Sequence, residues 1–407
     1  MRETHWQKLL FYLIIIEILF FSGEIRIYHE VLGVKYCIPL FLSSTLLYHF
    51  SRYSTIRLGS FNTSVLIALV SWIFLCTFFL NEYTGSLKWI EILTYSVGMC
   101  FYISAIPFEQ FRKGILKCST ILAAISIFVQ LGHDLGVIGS TTRLINGTLF
   151  KYSLFIFNTE WGNMNRLSSI YWEPGQYQIV LSYILCLFAD ELSEWRLWKK
   201  NIKKFGILFI AFVMTRSTMG YIVLALIVLN LLLNTRVSAK RVYLYPIFLI
   251  MGYATIYFTY NSDTVQSKIE MRNSYSEKSS YYVRLADNIA LLSCIQDRPI
   301  TGWSPGSDKM TNTLRARGSL TDSNGILLAG AELGLPYILF WIICFFMGIS
   351  KMHGKRLGFG LGLALILSQM NEVGYFLPIV FMYIFHYKNY HIWHYSQLSQ
   401  YATTHRK

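Results

Sequence analysis

Charge is scarce in this chain of 407 residues: only 14% of the residues are charged and 54% are hydrophobic. The mean hydropathy of +0.42 leaves too little polar surface for a set of soluble domains. The composition therefore excludes a secreted enzyme, a DNA-binding module and a cytosolic dinucleotide-binding protein. No nucleic-acid partner is expected, although the net charge is +14.

Signals for metals, disulfides and cleavage are also missing. Six of the seven cysteines lie in apolar blocks, only Cys294 lies in a long polar loop, and no CxxC spacing occurs. The nine histidines show no HExxH or HxxEH spacing, so neither a metal nor another cofactor is expected. Ser22-Gly23-Glu24 lacks a small-residue cleavage pattern, and the first apolar block is therefore interpreted as a retained span.

What the chain does contain is long apolar blocks with almost no charge inside. A helix needs roughly 20 residues to cross about 30 Å of hydrocarbon. The blocks predict about twelve transmembrane helices, hence an all-α polytopic integral membrane protein forming one membrane domain over 1–407. The candidate spans are 9–22, 34–50, 62–80, 88–107, 115–133, 174–190, 205–215, 217–234, 242–260, 323–349, 357–370 and 374–388.

The basic residues predict the orientation of these spans. With both termini in the cytoplasm, the inner segments carry 21 Lys and Arg residues and the short outer segments carry four. Cytoplasmic loops retain positive charge, which favours this topology. The block 205–234 is interpreted as a hairpin that turns at Thr215 to Thr218, because both of its flanks are basic. One long tilted helix is the alternative.

Two long loops, 134–173 and 261–322, are predicted to lie in the periplasm, and they hold nearly all of the polar sequence that could form a site. Apolar residues recur at i, i+4 and i+7 in the second loop. This spacing predicts an amphipathic helix near 280–297 that lies on the membrane surface. No internal repeat is found, which counts against an alternating-access transporter.

Four pieces in chain order resemble a known family. They are Asn165 to Gly175 (NRLSSIYWEPG), Thr215 to Tyr221 (TRSTMGY), Asp297 to Trp303 (DRPITGW), and Asp322 to Leu335, which begins DSN and ends ELGL. Together with the arginine-bearing helix, they resemble the O-antigen ligase and polymerase superfamily, and most of all the Wzy-type polymerases. The resemblance covers about 160–340 of the chain.

The resemblance implies a GT-C-like membrane glycosyltransferase in the inner membrane of a Gram-negative bacterium, with its active site in the periplasm. Such enzymes transfer glycan from undecaprenyl pyrophosphate without a nucleotide sugar or a required metal. We therefore expect polymerisation of lipid-linked repeat units into O-antigen or a related surface polysaccharide. The expected partners are the undecaprenyl-pyrophosphate-linked glycan, membrane lipids and a chain-length regulator of the Wzz type.

Three arginines match the motif positions that bind the donor. By resemblance, Arg216 and Arg284 are expected to contact the pyrophosphate, and Arg166 is the arginine before the EP turn. A guanidinium suits this role because its planar fork binds phosphate oxygens bidentately. Each of two arginines has a simpler explanation: Arg284 could pair with Asp287 at i+3, and Arg216 could snorkel to lipid headgroups.

The acceptor is a sugar hydroxyl, for which a general base would help. Ligases of the superfamily carry a histidine at the entry to the span after the second loop, where this chain has Asp322. Asp322 and Glu173 are the candidate catalytic carboxylates, and each could instead cap a helix. Tyr171, Asn324 and Trp303 are expected to support the loops and the acceptor. The missing histidine favours a polymerase over an O-antigen ligase, and a lipid-linked oligosaccharide flippase is the alternative from another class.

Overall fold

The structure is a computed structural model. It describes residues 4–23, 33–80, 88–145, 148–161, 164–171, 173–193, 195–234, 280–319, 323–370 and 372–387. The predicted span 242–260 and the candidate base Asp322 lie outside these ranges. Within them the chain is mostly helical with few strands, in agreement with a helical membrane protein.

Helices account for most of the described chain. In order they are α1 (His5–Phe21), α2 (Gly33–Arg52), α3 (Ser60–Phe74, continued by a π-helix at Leu75–Phe79), α4 (Lys88–Ala105), α5 (Phe108–Asp134), α6 (Pro174–Leu187), α7 (Ala189–Ser193), α8 (Trp195–Met214), α9 (Thr218–Asn234), α10 (Ser280–Asp297), α11 (Asp308–Ala316), α12 (Gly325–His353), α13 (Lys355–Gln369) and α14 (Pro378–Phe381).

Local signals in the sequence explain several helix starts. Thr4 forms a capping box with Gln7 at the start of α1. Ser307 caps α11, because its hydroxyl accepts a hydrogen bond from the Met310 amide. Pro174 occupies the first position of α6, where a missing amide proton costs nothing.

Within the ranges that the structure describes, three helices are long and apolar enough to cross a membrane: Ser60–Phe79, Phe108–Asp134 and Gly325–His353. α9 is apolar but shorter. Large apolar side chains point outward from these helices; Phe128 is 71% exposed and Leu339 is 61% exposed. Outward apolar side chains suit a surface that faces lipid. A helix can face lipid because its backbone hydrogen bonds are satisfied within the helix.

The segment 205–234 forms two helices, α8 and α9, separated at Thr215–Ser217. Near its beginning α8 contacts α7, where Asn201 donates a hydrogen bond to Glu191 at 3.0 Å. After its end, the carbonyl of Thr215 accepts a hydrogen bond from Arg166 at 3.2 Å. The break therefore lies where the hairpin interpretation places the turn.

The predicted span 374–388 is wrong as a continuous helix. Only Pro378–Phe381 is α-helical, and the flanking residues form turns. Nearly every side chain from Tyr375 to Phe385 is buried inside the protein. An apolar block can serve a protein interior as well as a lipid interior, and its composition does not distinguish the two.

The first long loop folds into a four-stranded antiparallel sheet, which the all-α prediction did not include. Its strands β1 (Thr141–Ile145), β2 (Thr148–Ser153), β3 (Ile156–Trp161) and β4 (Met164–Leu167) pair in sequence order. Thr159 of β3 lies opposite Arg166 of β4. The sheet is anchored to α5 by a hydrogen bond of 2.7 Å between the hydroxyls of Ser126 and Ser169.

Polar contacts collect at two ends of the helix bundle. One end holds the contact of Arg166 with Thr215, and both residues belong to or border segments that the basic-residue count assigns to the periplasm. The other end holds the ion pair of Arg112 with Asp190, at 2.8 Å, in segments assigned to the cytoplasm. The predicted topology requires these two sets of contacts to lie at opposite ends of the bundle. Which end faces the periplasm stays a prediction.

Candidate functional site

β4 carries the first arginine to the turn between α8 and α9. Arg166 is 8% exposed, and its Nε donates a hydrogen bond to the Thr215 carbonyl. Burial lowers the pKa of its guanidinium, whereas the negative charges of Glu173 and Glu372 raise that pKa. An arginine stays protonated under any ordinary condition. The sheet therefore places a fixed and largely buried positive charge at this end of the bundle.

Glu372 lies beside two of the residues that the motifs single out. Its Oε1 is 3.3 Å from Nη2 of Arg284, and its carboxyl is hydrogen-bonded to Glu173. Glu372 is buried, whereas the Arg284 side chain keeps 35% of its surface exposed. The contact joins α10 to the segment after α13, and it leaves part of the guanidinium open to a ligand.

The close approach of Glu372 to α6 depends on a glycine. An added Cβ at Gly175 would lie 2.7 Å from Oε1 of Glu372, so a side chain at this position would push the carboxyl group away. Gly175 belongs to the EPG part of the first motif. The glycine therefore allows Glu173 and Glu372 to meet.

The surroundings of Glu372 disfavour its charged form. Burial is the main cause that raises the pKa of Glu372 well above its ordinary value; the charge of Glu173 adds to the effect, and Arg284 opposes it. Two carboxylates in contact cannot both ionise at low cost. The protonated form of Glu372 is therefore favoured relative to that of an exposed carboxyl group.

Arg216 directly follows Thr215, whose carbonyl accepts a hydrogen bond from Arg166. It is exposed, and among the described residues it has no ion-pair partner. Its φ of 48° lies in the left-handed region, which is costly for a residue with a side chain. Ser169, close after Arg166 in the chain, has a φ of 58°. Strained backbone at two neighbouring turns is typical of a site whose geometry serves function.

We call these five residues the arginine–glutamate site: Arg166, Glu173, Arg216, Arg284 and Glu372. Arg166 and Arg284 interact electrostatically with the two glutamates, and Arg216 directly follows Thr215, whose carbonyl accepts a hydrogen bond from Arg166. The five residues comprise three arginines and two glutamates. The site therefore has a surplus of positive charge. A surplus of fixed charge at a partly enclosed position favours an anionic ligand.

Asn324 and its neighbours join the site to α12. Asn324 caps that helix by accepting a hydrogen bond from the Leu327 amide at 3.1 Å, and it donates one to Asn288 at 3.0 Å. Since Asn324 is the cap, a capping role is not needed for Asp322. Asp287 is fully buried and accepts hydrogen bonds from Ser319 and Ser323, each at 2.8 Å.

The helix α10 presents its apolar stripe outward. Leu285, Ile289 and Leu292 are 42%, 60% and 48% exposed, whereas Asp287 on another face is buried. Exposed apolar side chains at helical spacing suit a helix lying at a membrane surface. Arg284 reaches Glu372, which is 88 positions away, and helix spacing alone could not indicate such a partner.

The DRPITGW turn and the ELGL motif pack on each other. The backbone of α12 leaves helical geometry at Gly334, with φ 81° and ψ 168°. The Leu335 amide donates to the Pro299 carbonyl at 2.8 Å, and the Trp303 amide donates to the Ala331 carbonyl at 2.8 Å. A Cβ at Gly334 would overlap the Ile300 carbonyl, so glycine is required at this break.

Glu332 stabilises the turn that follows α10 through several polar contacts. Its carboxylate accepts from Nζ of Lys88 at 2.7 Å, from the Gly306 amide at 3.1 Å and from the hydroxyl of Tyr375. Tyr375 comes three residues after Glu372. The buried ion pair therefore holds both the turn and the segment that carries Glu372.

Two aromatic residues from the motifs have packing contacts. Tyr171 is fully buried, donates to the Leu19 carbonyl at 3.0 Å and stacks on Tyr177, so it supports the loop by packing. Trp303 donates from Nε1 to the Cys294 carbonyl at 2.9 Å, beneath the guanidinium of Arg298. Trp303 thereby ties the turn to α10.

Glu372 is the residue that sequence reasoning missed. A signal for it exists, because a carboxylate between two apolar blocks is uncommon and marks a functional candidate. In the described part of the chain, no group of three His, Cys, Asp or Glu residues lies close enough to hold a metal ion. No protein-family model matches this chain, and no curated protein matches it.

Proposed function

We propose that this protein is a membrane glycosyltransferase that polymerises undecaprenyl-pyrophosphate-linked repeat units. One observation carries the proposal: segments far apart in the chain bring Arg166 and Arg284 to the carboxyl pair, and Arg166 also contacts Thr215, the residue before Arg216. These arginines come from motifs that resemble the Wzy-type polymerases. Their proximity supports a shared site for an anionic donor.

The surplus positive charge suits the donor. The pyrophosphate of the lipid carrier becomes the leaving group, and fixed guanidinium groups stabilise the negative charge that develops on it. Arg284 is part-exposed and Arg216 is exposed, so both can turn their forks toward phosphate oxygens. Arg166 is buried, and its positive charge would act on the pyrophosphate without direct contact.

The transfer step needs an acceptor for one proton. The hydroxyl oxygen of the incoming unit attacks the anomeric carbon, the bond from that carbon to the pyrophosphate oxygen breaks, and the hydroxyl proton moves to a carboxylate. A carboxylate of the pair Glu173 and Glu372 is one candidate, and Asp322 is the other. Neither assignment needs a metal or a cofactor.

Two variants distinguish Asp322 from the glutamate pair as the general base. Asp322→Asn removes a proton acceptor, and Glu372→Gln removes the ionisable group of Glu372 while keeping the shape of the side chain. If Asp322 is the base, Asp322→Asn should slow chain growth by on the order of 10² or more. Purified protein and lipid-linked repeat units, with products separated on a gel, measure the rate. Near-normal growth in Asp322→Asn would assign the proton to the glutamate pair.

The finer architecture belongs to the same proposal. We infer about twelve spans in a GT-C-like arrangement that crosses a bacterial inner membrane. Both termini would lie in the cytoplasm, and the arginine–glutamate site would face the periplasm. Membrane lipids surround the protein, and a Wzz-type chain-length regulator is its expected protein partner. Reporter fusions after Asn158 and Ser276 should both report the periplasm. Opposite sides for these two fusions would remove the shared outer site.

Electrophoresis of surface lipopolysaccharide from a deletion strain tests the function. Loss of a polymerase should leave core carrying one repeat unit. Loss of a ligase would leave bare core while lipid-linked polymer accumulates, and loss of a flippase would leave bare core without such polymer. A ladder of wild-type length from the deletion strain would contradict the proposal.

A further inference from the structure

A second polar region lies at the opposite end of α12 from the arginine–glutamate site. Lys351, near the carboxyl end of α12, is 26 residues beyond Gly325, which corresponds to roughly 39 Å along a helix. Here a cavity of about 450 Å³ opens between the loop before α3 and the segment after α14. Its volume falls in the range of about 300–1,000 Å³ that is typical of ligand sites.

Basic side chains line this cavity. Arg57, Lys351 and His386 are all among its lining residues, which include no Asp or Glu. No carboxylate of the described residues lies within ion-pair distance of Arg57 or Lys351. Arg57 and Lys351 therefore line the same open cavity.

The lining is held in place by other contacts. Nζ of Lys351 donates to Nδ1 of His386 at 2.9 Å, and the imidazole stacks on Phe61 with ring centres 3.7 Å apart. Asn62 clamps the backbone of His386 through two hydrogen bonds, of 2.9 Å and 2.7 Å. The Arg57 guanidinium lies over the ring of Tyr53 at 5.5 Å. The cavity is thus a preformed site for an anion.

The surroundings favour a lipid as the source of that anion. Exposed apolar side chains adjoin the lining in the chain: Phe50 is 47% exposed, and Ile56, directly before Arg57, is 63% exposed. Acyl chains would cover these side chains while a headgroup phosphate enters the cavity. Basic pockets between transmembrane helices on the cytoplasmic side are suited to phosphate-bearing headgroups.

We propose that this cavity binds a phosphate-bearing anion, namely the headgroup of an anionic phospholipid in the leaflet opposite the arginine–glutamate site. Arg57 and Lys351 would contact the phosphate oxygens, and the ring of Tyr53 would hold the guanidinium in position. The proposal does not depend on the glycosyltransferase reaction, because none of its residues belongs to that site.

Thermal unfolding of the purified full-length protein in neutral detergent tests the proposal. Phosphatidylglycerol, phosphatidylcholine and inorganic phosphate are titrated separately, and native mass spectrometry reports retained lipid. Phosphatidylglycerol should raise the unfolding midpoint, and phosphatidylcholine should not. Stabilisation by inorganic phosphate at equal concentration would keep the anion site but assign it to a soluble phosphate. If neither phosphatidylglycerol nor inorganic phosphate stabilises the protein, the proposal is overturned.

Matched variants separate a built site from general surface charge. Arg57→Gln and Lys351→Gln should each weaken phosphatidylglycerol binding about tenfold or more, since each removes a charge-assisted contact. Lys113→Gln is the control, because Lys113 is 74% exposed, belongs to a predicted cytoplasmic segment and lies outside the cavity lining. Equal binding by all three variants, with each eluting as a single folded species, would contradict a specific site.

Discussion

Two buried arginines at opposite ends of the bundle show how differently the same side chain can be used. Arg112 is 2% exposed and forms two parallel hydrogen bonds with Asp190, at 2.8 and 2.9 Å, and a third with Glu191 at 2.9 Å. Arg166 is 8% exposed, and its Nε donates a hydrogen bond to a neutral carbonyl, that of Thr215. One arginine is fully neutralised by its own protein, and the other adds to a positive surplus.

The difference separates a structural cluster from a binding site. At Arg112, two carboxylates satisfy one guanidinium, so an incoming anion would meet repulsion. At the arginine–glutamate site, three arginines accompany two glutamates, and the surroundings of Glu372 favour its neutral form. Burying uncompensated charge lowers stability, and such an arrangement is expected where a ligand supplies the missing charge.

The largest effect should come from breaking the neutralised cluster. Arg112→Ala leaves Asp190 and Glu191 without their cation, and Asp190 keeps only 30% of its side chain exposed. Loss of one partner from a buried pair costs roughly 3–5 kcal/mol in the free energy of unfolding. Fluorescence-detected size-exclusion chromatography after heating measures the loss. A variant as heat-stable as wild type would show that the cluster is not structural.

A smaller effect should come from the raised pKa of Glu372. Because the folded protein raises the pKa of Glu372, the associated stability is present at acidic pH and is lost as pH rises through the raised value. One proton contributes at most about 1.4 kcal/mol per pH unit.

Glu372→Gln tests that slope, because glutamine is neutral at every pH. Unfolding midpoints measured from mildly acidic to alkaline pH should fall for wild type and fall less steeply for the variant. Identical pH profiles for the two proteins would show that folding does not raise the pKa of Glu372.

The smallest effect on stability should come from the exposed arginine. Arg216→Gly removes a charge with no partner in the described chain and also relieves the left-handed backbone. The unfolding free energy should change by less than about 0.5 kcal/mol or rise slightly. Arg216→Ala is the control, since it removes the same charge but keeps the strain. Marked unfolding of Arg216→Gly would make Arg216 a structural residue like Arg112.

Much of the helical content could be predicted from apolar blocks, and the motifs indicated four residues of the site. The sheet over Thr141–Leu167 was missed although Asn146-Gly147 is a strong hairpin signal in the sequence. The segment 374–388 was misassigned because burial in protein and burial in lipid select the same residues.

Glu372 shows why the rest could not be predicted. Its partners Glu173 and Arg284 lie 199 and 88 positions away in the chain. No local spacing links residues at such separations, and only the packing of α6, α10 and the segment after α13 brings them together. The charge surplus of the site therefore becomes visible only in three dimensions.

The central claim is that the surplus charge binds a pyrophosphate, and direct binding of undecaprenyl pyrophosphate to purified protein tests it. Wild type should bind, whereas Arg284→Ala and Arg216→Gly should each weaken binding at least about tenfold, and Arg284→Lys should restore only part of it. Arg317→Ala is the matched control, because Arg317 belongs to the same loop but pairs with Asp297 at 2.7 Å. Binding by Arg284→Ala and Arg216→Gly as tight as that of wild type would contradict the account.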